Sequence, residues 1–354
     1  MDTRFGIVGF GFMGPIHLQM LSEMDGAQVT AVCDIDSEPL ENVPESIKTY
    51  TNALAMFQDK NVDVVLIAAN NDQHKHLVIE AARAGKHVLC EKPVALSVSD
   101  LDEMEAACKE AGVTFTVHQQ RRFDIDFRTV KSVFDSKTLG DVYTIKSSLY
   151  GFNGNMHDWH IYPEQGGGML YDWGVHLIDQ MLWMIPGKIT SVFADLRNVI
   201  NKDVDDYFKI LLHFESGIMA EIELGTYYLS DKEDWFERHW FVGGNKGTMY
   251  GDGFNGCKGA IVRTTELLTS VSTGKRSMSA AGPTRSFGPP PEGRIVSEPV
   301  PPATTKHSDY FTNYLRALRG EEEMLVTIPH VRRVLKLMDA VRESAKNGCS
   351  INFE

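Results

Sequence analysis

Gly9-Phe10-Gly11-Phe12-Met13-Gly14 forms a Gly-x-Gly-x-x-Gly motif between two segments of different character. Residues 5–9 are a short apolar run typical of a buried strand, and residues 15–24 have helical spacing, with Pro15 at the start. In such a unit the first glycine permits a tight turn. The second lets a pyrophosphate approach the backbone, and the third lets helix and strand pack closely. The motif therefore predicts a dinucleotide site at the N-terminus of the helix.

A second part of this pattern is Asp34, which lies 20 residues after Gly14, at the end of the apolar run 29–33. A carboxylate in this position can accept hydrogen bonds from both ribose hydroxyls, and it would repel a 2′-phosphate. Asp34 therefore favours NAD over NADP, although a polar residue at a strand end would have the same appearance. Its neighbour Ile35 is included in the predicted cofactor site.

The first third of the chain continues with alternating apolar runs and helical patterns. Strands are predicted at residues 62–69, 87–90 and 114–118, and helices at residues 74–84 and 99–111. The second helix opens with Ser99 and has Asp102 three residues on, which resembles a capping box. Strands that alternate with helices predict a doubly wound parallel sheet of the α/β class, a Rossmann domain over residues 1–122.

From residue 123 to residue 354 the pattern changes. Helices are predicted at residues 126–136, 167–185, 308–318 and 329–347, and strands at residues 142–149, 190–197, 207–214, 218–227 and 235–242. Glu215-Ser216-Gly217 is a hairpin turn signal, and residues 281–302 are rich in Gly, Pro and Ser, as a surface loop would be. This pattern predicts an α+β domain with a large, mainly antiparallel sheet for substrate binding. One open face of that sheet would serve oligomerisation.

Composition excludes several classes of partner. The 48 acidic residues outnumber the 35 basic ones, for a net charge of −13, so nucleic acid is not an expected partner. No apolar stretch approaches the roughly 18–20 residues that a membrane span needs. The N-terminus lacks a signal-peptide layout, and the five cysteines are scattered without a CxxC pair. These features predict a cytoplasmic protein without membrane spans, disulfides or a metal site.

Two further segments carry candidate catalytic residues. Lys92, in Glu91-Lys92-Pro93, follows a predicted strand at the edge where open α/β sheets bind ligands, and Pro93 favours extended geometry at Lys92. An ordinary surface lysine before a turn would look the same. Asp172 and His176 follow a run of three glycines and share one face of a predicted helix. A capping Asp and a satisfied core His are the structural alternative.

Taken together and in this order, these motifs resemble the glucose–fructose oxidoreductase/inositol dehydrogenase (Gfo/Idh/MocA) family over most of the chain. The resemblance implies that Lys92, Asp172 and His176 are catalytic, and that the protein is a dimer or tetramer. It also implies cofactor contacts beyond the glycine motif from Ala69, Asn71, His74, Glu91, Lys92 and Gln120. The family usually has Thr-Pro before the residue equivalent to Asn71 and often Asn at position 120, whereas this chain has Ala69-Asn70 and Gln120.

Alcohol oxidation would use these residues in complementary ways. Neutral His176 could accept the hydroxyl proton, because the ordinary pKa of histidine lies near 6.5. Asp172 could orient His176 and stabilise its charged form, and Lys92 could hydrogen-bond the developing alkoxide. The sequence leaves open whether Lys92 or His176 takes the proton first.

The loop at residues 151–165 precedes the catalytic helix and is rich in aromatic, Asn, Asp and His side chains. Aromatic rings stack on sugar C–H faces and polar groups bond hydroxyls, although a surface loop with packing aromatics would have the same composition. The predicted substrate contacts are Lys92, Arg121, His157, Trp159, Tyr162, Asp172 and His176. His157, Asp158 and His160 match no standard metal spacing.

The predicted activity is hydride transfer between NAD and a secondary ring hydroxyl of a sugar, glycoside or cyclitol. Oxidation at C3 of a glucoside is a specific version, since it acidifies the neighbouring C–H and permits elimination. One alternative is a glycosidase that uses bound NAD transiently, without net NADH. Another is a regulator that senses NAD or sugar without catalysis, although such a sensor has no need of a proton-transfer set.

Overall fold

The computed structural model describes residues 2–151, 156–228, 236–265, 277–284 and 293–354. Residues 152–155 of the predicted substrate loop lie outside this set, as does Trp235 at the start of a predicted strand.

The N-terminal part contains a six-stranded parallel sheet. Its strands are β1 (Thr3–Val8), β2 (Ala27–Cys33), β3 (Lys48–Tyr50), β4 (Val64–Ile67), β5 (His87–Cys90) and β6 (Phe115–Val117). Four helices connect or flank them: α1 (Met13–Ser22), α2 (Ala53–Phe57), α3 (His74–Arg83) and α4 (Val98–Glu110). The strand order β3-β2-β1-β4-β5-β6 is that of a doubly wound dinucleotide-binding sheet, which confirms the predicted fold class.

The capping residue of α4 is Ser97 rather than the predicted Ser99. Ser97 has extended backbone (φ −145°, ψ 158°), and its Oγ accepts a hydrogen bond of 3.1 Å from the Asp100 backbone N–H. The predicted helix cap is of the correct residue type but lies two residues too far along the chain. The spacing from Ser97 to Asp100 repeats the spacing from Ser99 to Asp102, and only backbone geometry distinguishes the two.

The parallel register brings four strand ends to the same edge of the sheet. Val8 is paired with Ile67, Ile67 with Cys90, and Cys90 with Val117. The segments that follow these residues therefore leave the sheet side by side. They include the glycine motif after β1, Lys92 after β5 and Gln119 after β6.

The second part is built on a nine-stranded sheet. Its strands are β7 (Val142–Gly151), β8 (Ile189–Arg197), β9 (Tyr207–Phe214), β10 (Met219–Gly225), β11 (Phe236–Gly244), β12 (Gly247–Asp252), β13 (Lys258–Thr264), β16 (Ile295–Pro299) and β17 (Ile351–Asn352). A separate two-stranded sheet pairs β14 (Ser277–Ser279) with β15 (Gly282–Thr284). The nine-stranded sheet is antiparallel except for the β10–β7 pair, which confirms the mainly antiparallel prediction.

Helices cover one face of this sheet. They are α5 (Ile125–Asp135), α6 (Val175–Met184) and α8 (Ile328–Asn347), and a five-residue π-helical turn, Leu170–Gly174, leads into α6. Helix α7 (Asp309–Leu318) instead packs against the first sheet, where Tyr314 lies next to Phe5 of β1. A row of side chains across the sheet is buried on the covered side: Val192, Leu212, Ala220, Ile145, Val242, Met249 and Ile261. Burial of this row supplies much of the hydrophobic stabilisation of the second part.

The C-terminal helices also reach back to the first sheet. Tyr310 of α7 donates a hydrogen bond through its hydroxyl to the Val117 carbonyl oxygen (2.8 Å). Thr116 donates through its hydroxyl to the carbonyl oxygen of Val326, which precedes α8 (2.7 Å). Both contacts lie on β6, the edge strand of the parallel sheet. The end of the chain therefore ties the two sheets together.

Strands after residue 247 were missed by the sequence patterns. Residues 285–292 of the predicted surface loop at 281–302 lie outside the described residues. The rest of the loop contains an edge strand, β16, which pairs with β13. Most of its residues are exposed, so it lacks the apolar alternation that would reveal it. The hairpin at residues 215–217 is confirmed, with Gly217 at φ +85° and a Phe214 N–H bond to the Ile218 carbonyl oxygen.

A buried ion pair holds α6 against the segment after β6. Arg122 Nε and Nη2 donate to the two carboxylate oxygens of Asp179, each at 2.7 Å, and the side chains are 1% and 3% exposed. Asp179→Asn is expected to lower the free energy of unfolding by about 3–5 kcal/mol, because Arg122 would remain buried without its counter-charge. Urea denaturation measures this loss.

Arg316→Gln is the control for this stability prediction, since Arg316 pairs with Glu322 on the surface. Its expected effect is below about 1 kcal/mol. Similar small losses in both variants would contradict the structural role assigned to the Arg122–Asp179 pair.

Candidate active site

The glycine motif leaves open space where a pyrophosphate would lie. Gly9 has φ +90°, and a Cβ there would come within 2.5 Å of the Ala68 carbonyl oxygen. A Cβ on Gly14 would collide with the Gly9 carbonyl oxygen, whereas one on Gly11 would meet nothing within 4 Å. Gly9 and Gly14 thus allow close packing of the turn, and Gly11 keeps the approach to the helix N-terminus clear.

Asp34 lies against this turn. Its Oδ2 accepts a hydrogen bond from the Phe10 N–H (2.6 Å), and its Oδ1 accepts one from the Asp36 N–H (3.0 Å). Ile35 and Phe12 are 93% and 84% exposed. Exposed apolar side chains beside a fixed carboxylate fit the adenosine end of a dinucleotide.

Lys92 and Asp172 form an ion pair between the two parts of the chain. Lys92 Nζ donates to Asp172 Oδ1 (2.8 Å) and to the Asp172 carbonyl oxygen (3.2 Å), and the side chains are only 17% and 16% exposed. Burial would raise the pKa of Asp172, but the Lys92 charge and the contact with His160 hold that pKa well below its ordinary value. Asp172 is therefore a carboxylate, and it fixes the direction of the Lys92 ammonium group.

The glycine run before Asp172 allows close packing of the preceding loop. The Gly168 N–H donates to the His160 carbonyl oxygen (2.9 Å), and a Cβ on Gly167 would lie 2.6 Å from that same oxygen. His160 Nε2 lies 3.4 Å from Asp172 Oδ2, and its ring stacks on Trp159 with centroids 3.9 Å apart. His160 was not among the predicted site residues, because its contact with Asp172 depends on how this loop folds back.

His176 is buried, and its orientation is set by Gln119. His176 Nδ1–H donates to Gln119 Oε1 (3.0 Å), so the second ring nitrogen, Nε2, carries the lone pair in the neutral ring. Within the described part of the chain, Nε2 has no hydrogen-bond partner. Burial, followed by the charges of Lys92 and Arg121, lowers the pKa of His176 well below its ordinary value. His176 is therefore a neutral ring with a free acceptor.

This arrangement differs from the orienting role expected of Asp172. The Asp172 carboxylate contacts Lys92 and His160, whereas Gln119 makes the hydrogen bond to His176. The π-helical turn at Leu170–Gly174 interrupts the regular helix between Asp172 and His176. The spacing of four residues suggested a common helical face, but it did not predict this division of partners.

A buried cluster of His17, Glu91 and His118 contacts the backbone of Lys92. Glu91 Oε1 accepts hydrogen bonds from His17 Nε2 (2.6 Å) and His118 Nδ1 (2.9 Å), and Glu91 Oε2 accepts one from the Lys92 backbone N–H (3.1 Å). Burial would raise the pKa of Glu91, but His118 and His17 hold it well below its ordinary value. The cluster joins α1, β5 and β6 beneath the site.

His17, Glu91 and His118 are also residue types that bind metals. Atoms bound to one tetrahedral zinc ion lie about 3.3 Å apart, given bonds of roughly 2.0–2.1 Å. The distances of 2.6 and 2.9 Å in this cluster fit direct hydrogen bonds instead. We therefore interpret it as a hydrogen-bonded support of the site.

Other predicted cofactor residues have structural partners. His74 is fully buried, with ring nitrogens 3.0 Å from the Pro93 carbonyl oxygen and 2.9 Å from the Ala69 carbonyl oxygen. The side chains of His74 and Glu91 are buried and hydrogen-bonded within the chain, and their contacts with a cofactor stay a prediction. Asn71 donates through Nδ2 to the Gln165 carbonyl oxygen (2.9 Å). Among the described residues, the buried Oε1 of Gln120 has no hydrogen-bond partner, and the contact of Gln120 with the cofactor stays a prediction.

The predicted substrate residues fall into two groups. Arg121 lies beside the site, with its guanidinium carbon 4.0 Å from the centre of the Trp173 ring, and Trp159 is linked to Asp172 through His160. His157 and Tyr162 are exposed. Their contacts do not bring them to Lys92 or His176: His157 bonds to Asp158, and the Tyr162 carbonyl oxygen accepts from Gly167.

The site thus combines a dinucleotide-binding turn with Asp34, a lysine at the carboxyl edge of the parallel sheet, and a buried neutral histidine from α6. These features are typical of a nicotinamide-dependent oxidoreductase. Residues 3–119 match the family model described as "Oxidoreductase family, NAD-binding Rossmann fold", and residues 127–250 match the "GFO/IDH/MocA C-terminal domain". The chain belongs to the GFO/IDH/MocA family.

Relatives and solved structures agree with this assignment. A myo-inositol 2-dehydrogenase of Thermotoga maritima is 28% identical, over 75% of this chain and 78% of that protein. A 2,7-anhydro-N-acetylneuraminate hydratase of Escherichia coli is 31% identical, over 70% of this chain and 66% of that protein. The crystal structure of an NAD-binding protein from Listeria innocua is 35% identical, with a TM-score of 0.85 and coverage of 99% and 97% of the two chains.

The protein is thus an NAD-dependent oxidoreductase, an enzyme rather than a non-catalytic sensor. Among the described residues, no helix is long and apolar enough to span a membrane. The cytoplasmic location stays a prediction.

Asp34 offers a direct test of cofactor choice. Asp34→Ala is expected to weaken NADH binding about 10–100-fold, because hydrogen bonds to a charged group contribute about 1.5–3 kcal/mol. NADPH binding should weaken less or improve, since a repulsive charge is removed. Fluorescence titration with both cofactors measures the ratio. Asp36→Ala removes a carboxylate from the same loop and serves as the control, and an unchanged ratio in Asp34→Ala would contradict the assignment.

Proposed function

We propose that the protein transfers a hydride between NAD and a secondary ring hydroxyl of a pyranoside or cyclitol. The observation that carries the proposal is the neutral His176 ring. Its Nε2 is an acceptor without a partner among the described residues, and the same site contains the Lys92–Asp172 pair. Oxidation of a secondary alcohol requires a proton acceptor and a donor to the same oxygen.

Bound NAD would supply the hydride acceptor in this proposal, and residues of the chain accept and hold the hydroxyl proton. His176 takes the hydroxyl proton on Nε2 while Gln119 holds the other ring nitrogen as its N–H form. This assignment favours His176 over Lys92 as the first acceptor. The carboxamide of Gln119 can accept but cannot itself become charged, so the proton stays on His176 until solvent or the reverse reaction removes it.

Lys92 acts on the alcohol oxygen in the same step. Its Nζ is held by the carboxylate and the carbonyl oxygen of Asp172, which leaves further N–H donation available for the substrate. A positive donor placed at the developing alkoxide lowers the barrier to hydride loss. Glu91, which bonds to the Lys92 backbone N–H, restricts movement of this residue.

A screen of pyranoses, methyl glycosides and inositols for NADH formation tests the proposal. At least one secondary ring alcohol should be oxidised, and product analysis would identify the carbon, with C3 of a glucoside as the specific expectation. An enzyme that binds NAD but oxidises no member of the panel would contradict the proposed activity.

The second candidate is transient oxidation followed by elimination or addition of water, with no net NADH. The hydratase relative favours it, since its name denotes water chemistry rather than net oxidation. Glycosides or anhydro-sugars incubated with catalytic NAD would distinguish the two: product without NADH accumulation indicates the transient route, and stoichiometric NADH indicates the dehydrogenase.

We further propose a homo-oligomer that uses the open face of the nine-stranded sheet. One row of side chains crosses that face: Phe193, Leu211, Glu221, Lys146, Phe241, Tyr250 and Ala260. Phe193 is 40% exposed and Tyr250 50%. Exposed apolar residues beside charged ones support a contact between copies. The dimer or tetramer implied by family resemblance stays a prediction.

A further inference from the structure

A cavity of about 400 Å³ lies beside the proposed catalytic residues. Its lining includes Arg121, Asp124, Trp173, Phe254, Lys306 and His307. The volume falls within the range of about 300–1,000 Å³ that is typical of small-molecule sites. Trp173 directly follows Asp172, and its ring centre lies 6.3 Å from that of His176. One wall of the cavity, the Trp173 ring, therefore lies against His176.

Positively charged side chains outnumber negatively charged ones in the cavity lining. Arg121 and Lys306 contribute two cations, and Asp124 contributes the anion. Asp124 is buried and already engaged: His307 Nε2 donates to its Oδ1 (2.7 Å), and Arg121 Nη1 donates to its Oδ2 at 3.3 Å. Burial would raise the pKa of Asp124, but His307 and Arg121 hold it below its ordinary value. Asp124 is thus an ionised carboxylate in the cavity lining that is already paired with His307 and Arg121.

Arg121 is held in place but keeps most of its donors. Its guanidinium stacks 4.0 Å over the Trp173 ring, which limits its conformational freedom. Its contact with Asp124 is the one hydrogen bond it donates through its side chain within the described ranges. A guanidinium has five N–H donors in a planar fork that matches a carboxylate. Lys306 is exposed at the cavity, and its Nζ has no partner in the same set of residues.

We propose that this cavity is a subsite for a carboxylate carried by the sugar substrate, with Arg121 as the bidentate contact and Lys306 as the second cation. The inference rests on the proposed function, since it assigns the other end of the same substrate to this cavity. Its lining has two cations and one anion in a protein of net charge −13, and an acidic sugar would complement this local positive charge.

Matched pairs of sugars test the subsite without turnover. Methyl glycosides of the gluco, galacto and manno series and the corresponding methyl glycosiduronates differ only in a hydroxymethyl or carboxylate group. Calorimetry on the enzyme saturated with NADH should show at least one uronate binding about tenfold more tightly than its neutral partner, with a preference that falls as salt rises.

Substitutions then identify the residues that cause the preference for uronates over neutral sugars. Arg121→Met should bring the ratio of uronate to neutral affinity close to one, and Lys306→Gln should reduce the ratio about threefold. Lys60→Gln, which removes an exposed lysine from the NAD-binding part, should leave the ratio unchanged. Because Lys306 is exposed, Lys306→Gln tests the subsite even if Arg121→Met is unstable.

The outcomes separate this inference from the proposed function. Oxidation of neutral sugars with no uronate preference in any series would overturn the subsite and leave the proposed function standing. Uronate preference that survives both substitutions would also overturn the subsite, as would an Arg121→Met variant that loses NADH affinity as strongly as uronate affinity. A uronate preference without any NADH formation would support the subsite and count against the dehydrogenase activity.

Discussion

Lys92→Met is expected to lower kcat about a thousandfold while NADH affinity changes less than about twofold. Methionine fills a similar volume but cannot donate to the alcohol oxygen, and loss of one donor to a developing oxyanion costs about 10²–10³ in rate. Asp172 would then lack its cationic partner at a buried position. The predicted loss therefore falls on turnover rather than on cofactor binding.

Steady-state rates and NADH fluorescence titration measure the two effects separately. Lys75→Met is the matched control, because Lys75 Nζ also lies 2.8 Å from an aspartate oxygen, in Asp100, but is not part of the site. Normal turnover in Lys92→Met, or an equal loss in Lys75→Met, would remove Lys92 from the mechanism.

His176→Ala is expected to lower kcat for alcohol oxidation by about 10²–10⁴, the usual contribution of a general base. The wild-type enzyme should also show an unusual pH profile. His176 must be neutral to accept a proton, and burial together with the Lys92 and Arg121 charges lowers its pKa well below the ordinary value. Oxidation should therefore stay pH-independent from neutrality to below pH 6.5, and the acid limb should appear only at lower pH.

Arg121→Met provides a second test of the direction in which the His176 pKa is shifted. Removing a positive charge near His176 should raise its pKa, so the acid limb should move to higher pH. The profile of kcat/KM against pH measures the shift, with His213→Ala, an exposed residue of β9, as the control. An acid limb at or above pH 6.5 in the wild type, or full activity in His176→Ala, would contradict the role of His176.

The parts of the fold and site that could be predicted depend on local signals. The glycine motif combines a turn, a close approach and a helix start within six residues, so neighbouring residues alone identify it. The position of Lys92 follows from the end of β5, a strand whose bounds were predicted at residues 87–90 and are observed at His87–Cys90. Parallel register then brings it beside the glycine motif.

The supporting residues could not be predicted in the same way, because their partners are distant in sequence. Glu91 meets His17 across 74 positions, and His176 meets Gln119 across 57. No spacing rule connects such pairs, and a histidine on an apolar helix is most simply read as core. Resemblance pointed to Gln120 for cofactor binding, whereas the contact with His176 comes from its neighbour, Gln119.

The C-terminal contacts to β6 have a consequence for synthesis of the protein. Thr116 and Val117 depend on partners 210 and 193 positions later in the chain. A nascent chain that has just completed its sixth strand would still have an exposed sheet edge, which is a hazard for association with other chains. We therefore expect the cofactor-binding part to be fully protected at this edge only after residues 310–326 have been synthesised. Truncated products that lack residues after 309 should depend on chaperones, although they contain every residue of the proposed catalytic centre.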